Sequence, residues 1–223
     1  MSRLRRPVDF GMAVLACLFA FAAPAAAQFR SPVGINFDDM NPGAGPRHFS
    51  CTLSGFGTEP KWVIEQDRIK SKVLAQRGVD KVRDRAPICL YDQLRARNVD
   101  ISVVFKIVSG ELDPAAGVLV RAIDSRNYYV VRAGTKPGRV ALIRVVSGSE
   151  TEILAAPAPV SFEKWHKLRL KIERDRFFVL LDDKALFDVV EDSHNLPGRV
   201  GLWTRADSQV LFDDMIVAAG RDE

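Results

Sequence analysis

Hydrophobic and polar residues alternate with a period of two through most of the chain after residue 98. The clearest case is residues 99–107, where every second position is apolar: Ile101, Val103, Phe105 and Ile107. This pattern predicts a strand with one buried face and one solvated face. The same form recurs in nine further segments: 117–123, 128–133, 139–146, 151–155, 165–173, 176–182, 185–190, 199–204 and 209–217.

Turn-forming residues such as GTKPG and HNLPG separate these segments. Strands at spacings of about 8 to 12 residues, without a long helical pattern between them, predict an antiparallel sandwich or barrel. The earlier part of the chain is less regular: short strands are predicted at 62–65 and 72–76, and a loop or a single helical turn at 78–86. About a dozen strands would suit two stacked sheets of about six strands each.

The composition fits one globular domain that follows an export signal. The chain has 223 residues, of which 47% are hydrophobic and 27% charged, which excludes a disordered chain and a membrane bundle. Residues 1–27 combine three arginines, an apolar run at 12–23 and a final Ala25-Ala26-Ala27. They predict a secretory signal peptide, because the run is too short to span a bilayer. A lipoprotein cleavage box ending at Cys17 is the alternative, although the apolar run continues past it.

Cleavage after Ala27 predicts a single domain at residues 28–218, a short polar tail at 219–223 and a periplasmic or secreted location. No transmembrane segment is expected in the mature chain, and its oligomeric state stays open. Removing three arginines and one aspartate with the signal lowers the formal charge from +4 to +2. No basic stripe interleaved with aromatic residues remains, so nucleic acid is not an expected partner.

Two cysteines remain after cleavage, Cys51 and Cys89. In an oxidising compartment, an even pair far apart in sequence is expected to form a disulfide. A zinc site beginning at His48 is the alternative, but the chain has no second close pair of ligands for it.

Several landmarks, taken together, resemble the concanavalin A-like lectin/glucanase jelly rolls of bacteria. They follow one another in the order Trp62-Val-Ile-Glu, Val73-Leu-Ala-Gln, 100–106, 117–121, 127–132, 165–169, 181–182, 198–204 and Phe212-Asp-Asp. The most similar type is the domain named after 3-keto-disaccharide hydrolases, which also resembles laminin-G modules. The resemblance covers nearly the whole mature chain and implies an all-β, antiparallel jelly-roll β-sandwich of two stacked, curved sheets.

The resemblance also implies a function, namely carbohydrate binding, with a saccharide or glycan ligand bound on the concave sheet. A hydrolase acting on 3-keto-glucosides is the alternative. A non-catalytic structural or protein-interaction module of the envelope is a further one, so enzymatic activity stays open. Glucanases of this fold share a strand motif Glu-x-Asp-x-(x)-Glu, and its nearest match here is Glu111-Leu112-Asp113, which lies in a turn and lacks the last Glu. We therefore expect loop residues there and assign no catalytic residue.

The tetrapeptide FDDM occurs twice, at 37–40 and at 212–215. The resemblance implies that the first and last strands lie side by side, which would bring the two copies together. Like charges brought together repel unless a cation lies between them. The hypothesis is a structural Ca²⁺ held by some of four residues: Asp38, Asp39, Asp213 and Asp214. The alternative is that these are strand-edge aspartates that cap turns and deter edge pairing.

A predicted hairpin supplies the best ligand-binding candidates. With its turn at 124–127, Arg121, Tyr128 and Arg132 would share one face. Guanidinium groups beside an aromatic ring suit the hydroxyls or carboxylate of a ligand. Trp203 and Asp207 would add a stacking platform and an acceptor.

Purely structural roles are the alternative for two groups of residues. The arginines of the hairpin could instead form cross-strand ion pairs with acids such as Asp100 or Asp188, with Trp203 in the core. His166 is in phase with Leu168 and Leu170, which predicts a core-facing histidine satisfied by hydrogen bonds.

Overall fold

The computed structural model describes residues 29–67 and 71–220. The predicted signal peptide, residues 1–27, lies outside the described residues, as do residues 221–223 of the predicted tail. The first two residues of that tail belong to the sheet, because Ala219 ends the last strand and Gly220 forms a bridge with Phe29. In the described ranges, no helix is long and apolar enough to cross a bilayer.

The described residues form fifteen strands. In chain order they are β1 (Val33–Ile35), β2 (Phe49–Ser54), β3 (Trp62–Gln66), β4 (Lys72–Gln76), β5 (Ala86–Ala96), β6 (Val99–Ser109), β7 (Ala115–Asp124), β8 (Asn127–Thr135), β9 (Gly138–Val146), β10 (Ser149–Pro157), β11 (Trp165–Glu173), β12 (Arg176–Leu181), β13 (Lys184–Val190), β14 (Gly198–Thr204) and β15 (Gln209–Ala219). All twelve predicted strands are present, and β1, β2 and β5 are additional.

The strands form two antiparallel sheets. One has the order β13-β12-β11-β6-β15-β4-β3, with β1 also pairing with β15, and the other has the order β10-β9-β8-β7-β14-β5-β2. The jelly-roll β-sandwich predicted from the sequence is therefore confirmed. The main core lies between the sheets, where the alternate apolar side chains of both are buried, among them Phe105, Val131, Leu170 and Leu202.

His166 lies in this core and its ring nitrogens are both engaged. Nδ1 is 2.8 Å from Oδ2 of Asp182, and Nε2 accepts a hydrogen bond of 3.3 Å from the backbone N–H of Ser161. Burial alone would raise the pKa of Asp182, but hydrogen bonds from the Lys167 N–H and from His166 outweigh it and lower that pKa. His166 is thus a satisfied core histidine, as the alternation predicts.

The predicted disulfide is confirmed. Cys51 in β2 lies directly opposite Cys89 in β5, and the two sulfur atoms are bonded. The bond joins the edge strand of the seven-stranded sheet to its neighbour. It therefore fixes β2 onto the body of the domain.

The outer face of the seven-stranded sheet carries a second buried apolar cluster, which includes Leu119, Val130 and Trp203. Side chains meet across this face although their strands are far apart in the sheet. The Tyr128 hydroxyl on β8 is 3.1 Å from the Ser54 hydroxyl on β2, with three strands between them. Since strands are spaced by about 4.8 Å, such a contact requires a strongly curled sheet. This outer face is therefore concave.

Candidate functional site

Trp203 and Arg132 are neighbours on the concave face because Gly117 lies between them. Gly117 is opposite Arg132 on one side and Trp203 on the other. A Cβ at position 117 would lie 3.3 Å from Cε3 of the Trp203 ring. The missing side chain therefore makes room for the indole to lie against the sheet.

Tyr128 follows the same alternation and points to the same face as Val130 and Arg132. Its side chain is only 1% exposed and its hydroxyl is hydrogen-bonded to Ser54. Burial raises the pKa of the Tyr128 hydroxyl. Tyr128 therefore ties β8 to β2 across the concave face.

A chain of charged groups crosses one end of this face. Arg132 makes a bidentate contact with Asp113, with Nη1 2.9 Å from Oδ2. Arg205 lies 3.8 Å from the same carboxylate, is ion-paired with Glu150 and has its guanidinium 6.0 Å from the Trp203 ring centroid. We call Asp113, Arg132, Glu150, Trp203 and Arg205 the concave-face cluster.

A pocket of about 260 Å³ opens beside this cluster, and we call it the mouth pocket. Glu150 and Arg205 line it on the cluster side, and Ser54, Phe56 and Asp84 line it on the other. Phe56 is 75% exposed, the most exposed large apolar side chain in the described residues. The pocket thus combines an accessible aromatic ring with groups of both charges.

The loop that carries Phe56 is held from below by Arg85. This arginine is fully buried, and it donates to the carbonyls of Thr58 at 3.1 Å and Ala206 at 2.8 Å. Burial lowers the pKa of Arg85. The N–H of Thr58 also donates to Asp80 at 2.7 Å. The same guanidinium therefore positions the loops that present Phe56 and Arg205.

Asp207 organises the loop next to the cluster. Its carboxylate accepts hydrogen bonds from the N–H groups of Glu111 at 2.9 Å and Leu112 at 3.2 Å, which fixes the segment leading to Asp113. Asp207 also borders a second pocket of about 380 Å³, the loop pocket, with Lys81, Glu111, Lys136, Phe162 and Gln209 among its lining residues. The structure therefore brings Tyr128, Arg132 and Trp203 together and places Asp207 in the adjoining loop.

Arg121 lies apart from these four residues. The register of β7 and β8 shifts between Val120 and Asp124, and Arg121 has a positive φ of 51°. Its guanidinium lies 5.2 Å from the Phe177 ring centroid in the main core. It donates to the carbonyls of Arg97 at 3.1 Å, His194 at 3.3 Å and Arg174.

The acids weighed as partners for the hairpin arginines pair elsewhere. Asp100 is bound by Arg169 and Asp188 by Arg176. Trp203 is 1% exposed and packs in the second apolar cluster. Sequence reasoning missed Phe56, Glu150 and Arg205, and it treated Asp113 only as a loop residue.

The two FDDM segments do come together, because β1 pairs with β15 and Phe37 and Phe212 enter the same core. The Lys72 backbone N–H donates to the Asp38 carboxylate at 2.7 Å. Its ammonium donates to the carbonyls of Asp38 at 2.7 Å and Met40 at 2.8 Å. A lysine therefore supplies positive charge at this junction.

Two of the other aspartates, Asp39 and Asp213, have partners on the chain itself. Asp39 is ion-paired with Arg47, and Asp213 accepts hydrogen bonds from Ser71 at 2.9 Å and from the Asp214 N–H at 2.8 Å. Burial, and then the charges of Asp214 and Asp38, raise the pKa of Asp213. No group of three or more His, Cys, Asp or Glu side chains in the described ranges could hold a metal ion. The aspartates as placed do not fit the predicted calcium site.

Comparison with known proteins gives a fold and no family. No family model matches the chain, and no curated protein matches its sequence. Among solved structures it is similar to the carbohydrate-binding module CBM66 from Bacillus subtilis, with a TM-score of 0.60 and 20% identity over 77% of this chain and 95% of that one. It is also similar to a Bacteroides ovatus GH16 protein in complex with a mixed-linkage glucan product, with a TM-score of 0.60 and 7% identity over 82% and 98%.

A third similar structure is the exoplasmic/lumenal domain of VIP36 in a form with Ca²⁺ and mannose bound. Its TM-score is 0.50 and its identity 13%, over 79% of this chain and 90% of that one. Identities this low establish the fold alone. No comparison reaches the 3-keto-disaccharide hydrolase type, which stays a prediction. The comparisons therefore show that the chain has a jelly-roll β-sandwich fold.

Proposed function

We propose that this protein is an exported domain that binds a neutral saccharide at the mouth pocket, on the edge of its concave sheet. The observation that carries the proposal is Phe56, an exposed aromatic ring on a loop fixed by a buried arginine, beside a pocket that holds Asp84, Glu150 and Arg205. The fold adds support, since the similar structures include a carbohydrate-binding module and a mannose-bound lumenal domain.

Each group at the mouth has a role that suits a sugar. The Phe56 ring stacks on the apolar C–H face of a pyranose or furanose ring, while Arg205 donates to its hydroxyls and Glu150 accepts from them. Saccharide sites commonly combine apolar and aromatic walls with a few polar groups that set orientation.

The residues predicted from the sequence to bind a ligand on the concave face instead position the groups that line the mouth pocket. Arg132 holds Asp113, and Asp113 and Trp203 together position the Arg205 guanidinium. Tyr128 holds Ser54 at the pocket wall, and Asp207 fixes the loop before Asp113. The ligand thus meets a site that is largely preformed, which limits the entropy lost on binding.

The proposal is tested by calorimetric titration of the chain from residue 28 with a panel of neutral oligosaccharides. Phe56→Ala should raise the dissociation constant about ten-fold. Fully burying a phenylalanine side chain contributes roughly 1.5 to 3 kcal/mol, and stacking a sugar on one face of the ring gains part of that. Leu196→Ala is the matched control, since Leu196 is also an exposed apolar residue, 56% exposed, and it does not line the mouth.

Equal affinities for the wild type and Phe56→Ala would refute the proposed site. A panel in which nothing binds would refute the proposed function. Chromatography of the same samples, with a 3-keto-glucoside included, measures turnover. Release of a product would replace the binding function with the hydrolase alternative.

A further inference from the structure

We infer that the loop pocket is a second binding site and that it takes the carboxylate of an acidic sugar, such as a uronic acid. The pocket has a volume of about 380 Å³ and is lined by Lys81, Glu111, Lys136, Asp207 and Gln209, with Phe162 and Val108 as apolar walls. Its lining shares no residue with the mouth pocket. The inference does not depend on what the mouth binds.

Lys136 is the principal reason to expect an anion. Its ammonium lies 5.5 Å from the Phe162 ring centroid, and no acidic side chain in the described part of the chain forms an ion pair with it. Several other cations in the described residues are paired with acids, as Arg132 is with Asp113 and Arg169 with Asp100. An exposed ammonium without an acid, beside a pocket, offers a ligand carboxylate a charge-assisted hydrogen bond.

Gln209 adds a second donor. Its Oε1 accepts a hydrogen bond of 3.1 Å from Arg77, and this assigns the oxygen and leaves the Nε2 group without a partner in the described residues. An amide N–H₂ at the wall of the pocket can donate to a carboxylate or a hydroxyl. The loop pocket thus has a second side-chain donor besides Lys136 among its lining residues.

The acids of the pocket are already engaged. The Asp207 carboxylate receives two backbone N–H groups and is only 5% exposed, and Glu111 is ion-paired with Lys81 at 2.6 Å. Free donors therefore outnumber free acceptors, which favours a ligand that accepts hydrogen bonds and carries negative charge. The Phe162 and Val108 side chains provide the apolar contact that a sugar ring needs and that a bare inorganic anion would not use.

The test compares trigalacturonate with a neutral galactose trisaccharide by calorimetric titration of the chain from residue 28. We expect trigalacturonate to bind the wild type more tightly, and its dissociation constant to rise about ten-fold in Lys136→Gln. Lys184→Gln is the matched control, because Lys184 is exposed in β13 and lines neither pocket. Raising the salt concentration should weaken trigalacturonate binding in both proteins, and the loss of affinity should be larger for the wild type than for Lys136→Gln.

Two results would overturn the inference: equal affinity for the acidic and neutral trisaccharides, or equal effects of Lys136→Gln and Lys184→Gln. The experiment also separates the two sites. If no neutral sugar binds and Lys136→Gln loses trigalacturonate binding, the loop pocket is supported as a site and the mouth pocket is refuted as one. If trigalacturonate binding depends on Phe56 and not on Lys136, the acidic sugar binds at the mouth pocket and the loop pocket is refuted as a site.

Discussion

Replacing Arg121 with methionine tests whether this arginine serves the fold or a ligand. The side chain is 0% exposed, its guanidinium donates to three backbone carbonyls, and it packs on Phe177. The carbonyls belong to Arg97, His194 and Arg174, in three separate segments that meet at one end of the sandwich. Methionine keeps much of the apolar stem but removes every donor.

The expected cost follows from those contacts. A hydrogen bond to a charged group contributes about 1.5 to 3 kcal/mol, and part of the sum over three bonds is offset by the desolvation of the guanidinium that the wild type already bears. We expect a net loss of about 3 to 5 kcal/mol in the free energy of unfolding. For a domain of this size, each kcal/mol corresponds to about 2 to 4 °C, so the melting temperature should fall by roughly 10 °C.

The assay is urea and thermal unfolding of wild type, Arg121→Met and Arg121→Lys, followed by sugar titration well below each melting temperature. Lysine should fall between the other two, because one ammonium cannot reach three carbonyls in the fork geometry of arginine. Sugar affinity at low temperature should match the wild type in both variants. An unchanged melting temperature together with lost sugar affinity would refute this reasoning and return Arg121 to the ligand site.

Three further predictions concern the junctions of the fold. Replacing Cys51 and Cys89 by alanine should lower the free energy of unfolding by about 3 to 4 kcal/mol in urea titrations, as expected for a loop of 38 residues, and an unchanged midpoint would contradict this. Asp213→Asn should raise stability at pH 7 by on the order of 0.5 kcal/mol, because a carboxyl whose folded pKa is raised is destabilising while ionised. That gain should disappear as the pH falls through the folded pKa of Asp213, and a gain that persists in acid would exclude the electrostatic cause. Chelation should leave the melting temperature unchanged, because Lys72 supplies the positive charge between the FDDM segments; a Ca²⁺-dependent rise would restore the calcium hypothesis.

Most of the strands predicted from the sequence were those with a period of two. β5 escaped detection although it lies between β14 and β2, because Pro87 near its start and charged residues such as Asp92 and Arg95 in its second half break the pattern. Pro87 is tolerated in the first positions of a strand, and Asp92 and Arg95 lie where β5 reaches solvent. Local alternation cannot tell such a strand from a polar loop, because what defines it is pairing with segments far away in sequence.

The candidate site was predictable only as far as alternation holds. Tyr128 and Arg132 share a face because the strand between them is regular, and Trp203 joins them because it lies past the irregularity at the start of β14. The bulge in β7, by contrast, turns Arg121 into the core. Asp113 lies in a loop and meets Arg132 across the neighbouring strands β7 and β8. Glu150 lies beside a turn in β10 and meets Arg205, which follows β14, because the seven-stranded sheet curls. Curvature of that kind arises from the whole sheet and leaves no local signal in the sequence.

Arg85 and Arg121 solve the same problem at opposite ends of the sandwich. Loops between strands leave carbonyls without ladder partners, and a buried guanidinium with five donors can satisfy several of them at once. At the Arg121 end the result is a closed cap over the core. At the other end, Arg85 satisfies carbonyls in the loops that present Phe56 and Arg205. It therefore holds the loop in place while the Phe56 ring is exposed to water. Because Arg85 already holds the backbone next to Phe56, a ligand would have less loop freedom left to restrict, which is the physical reason to look for the sugar there.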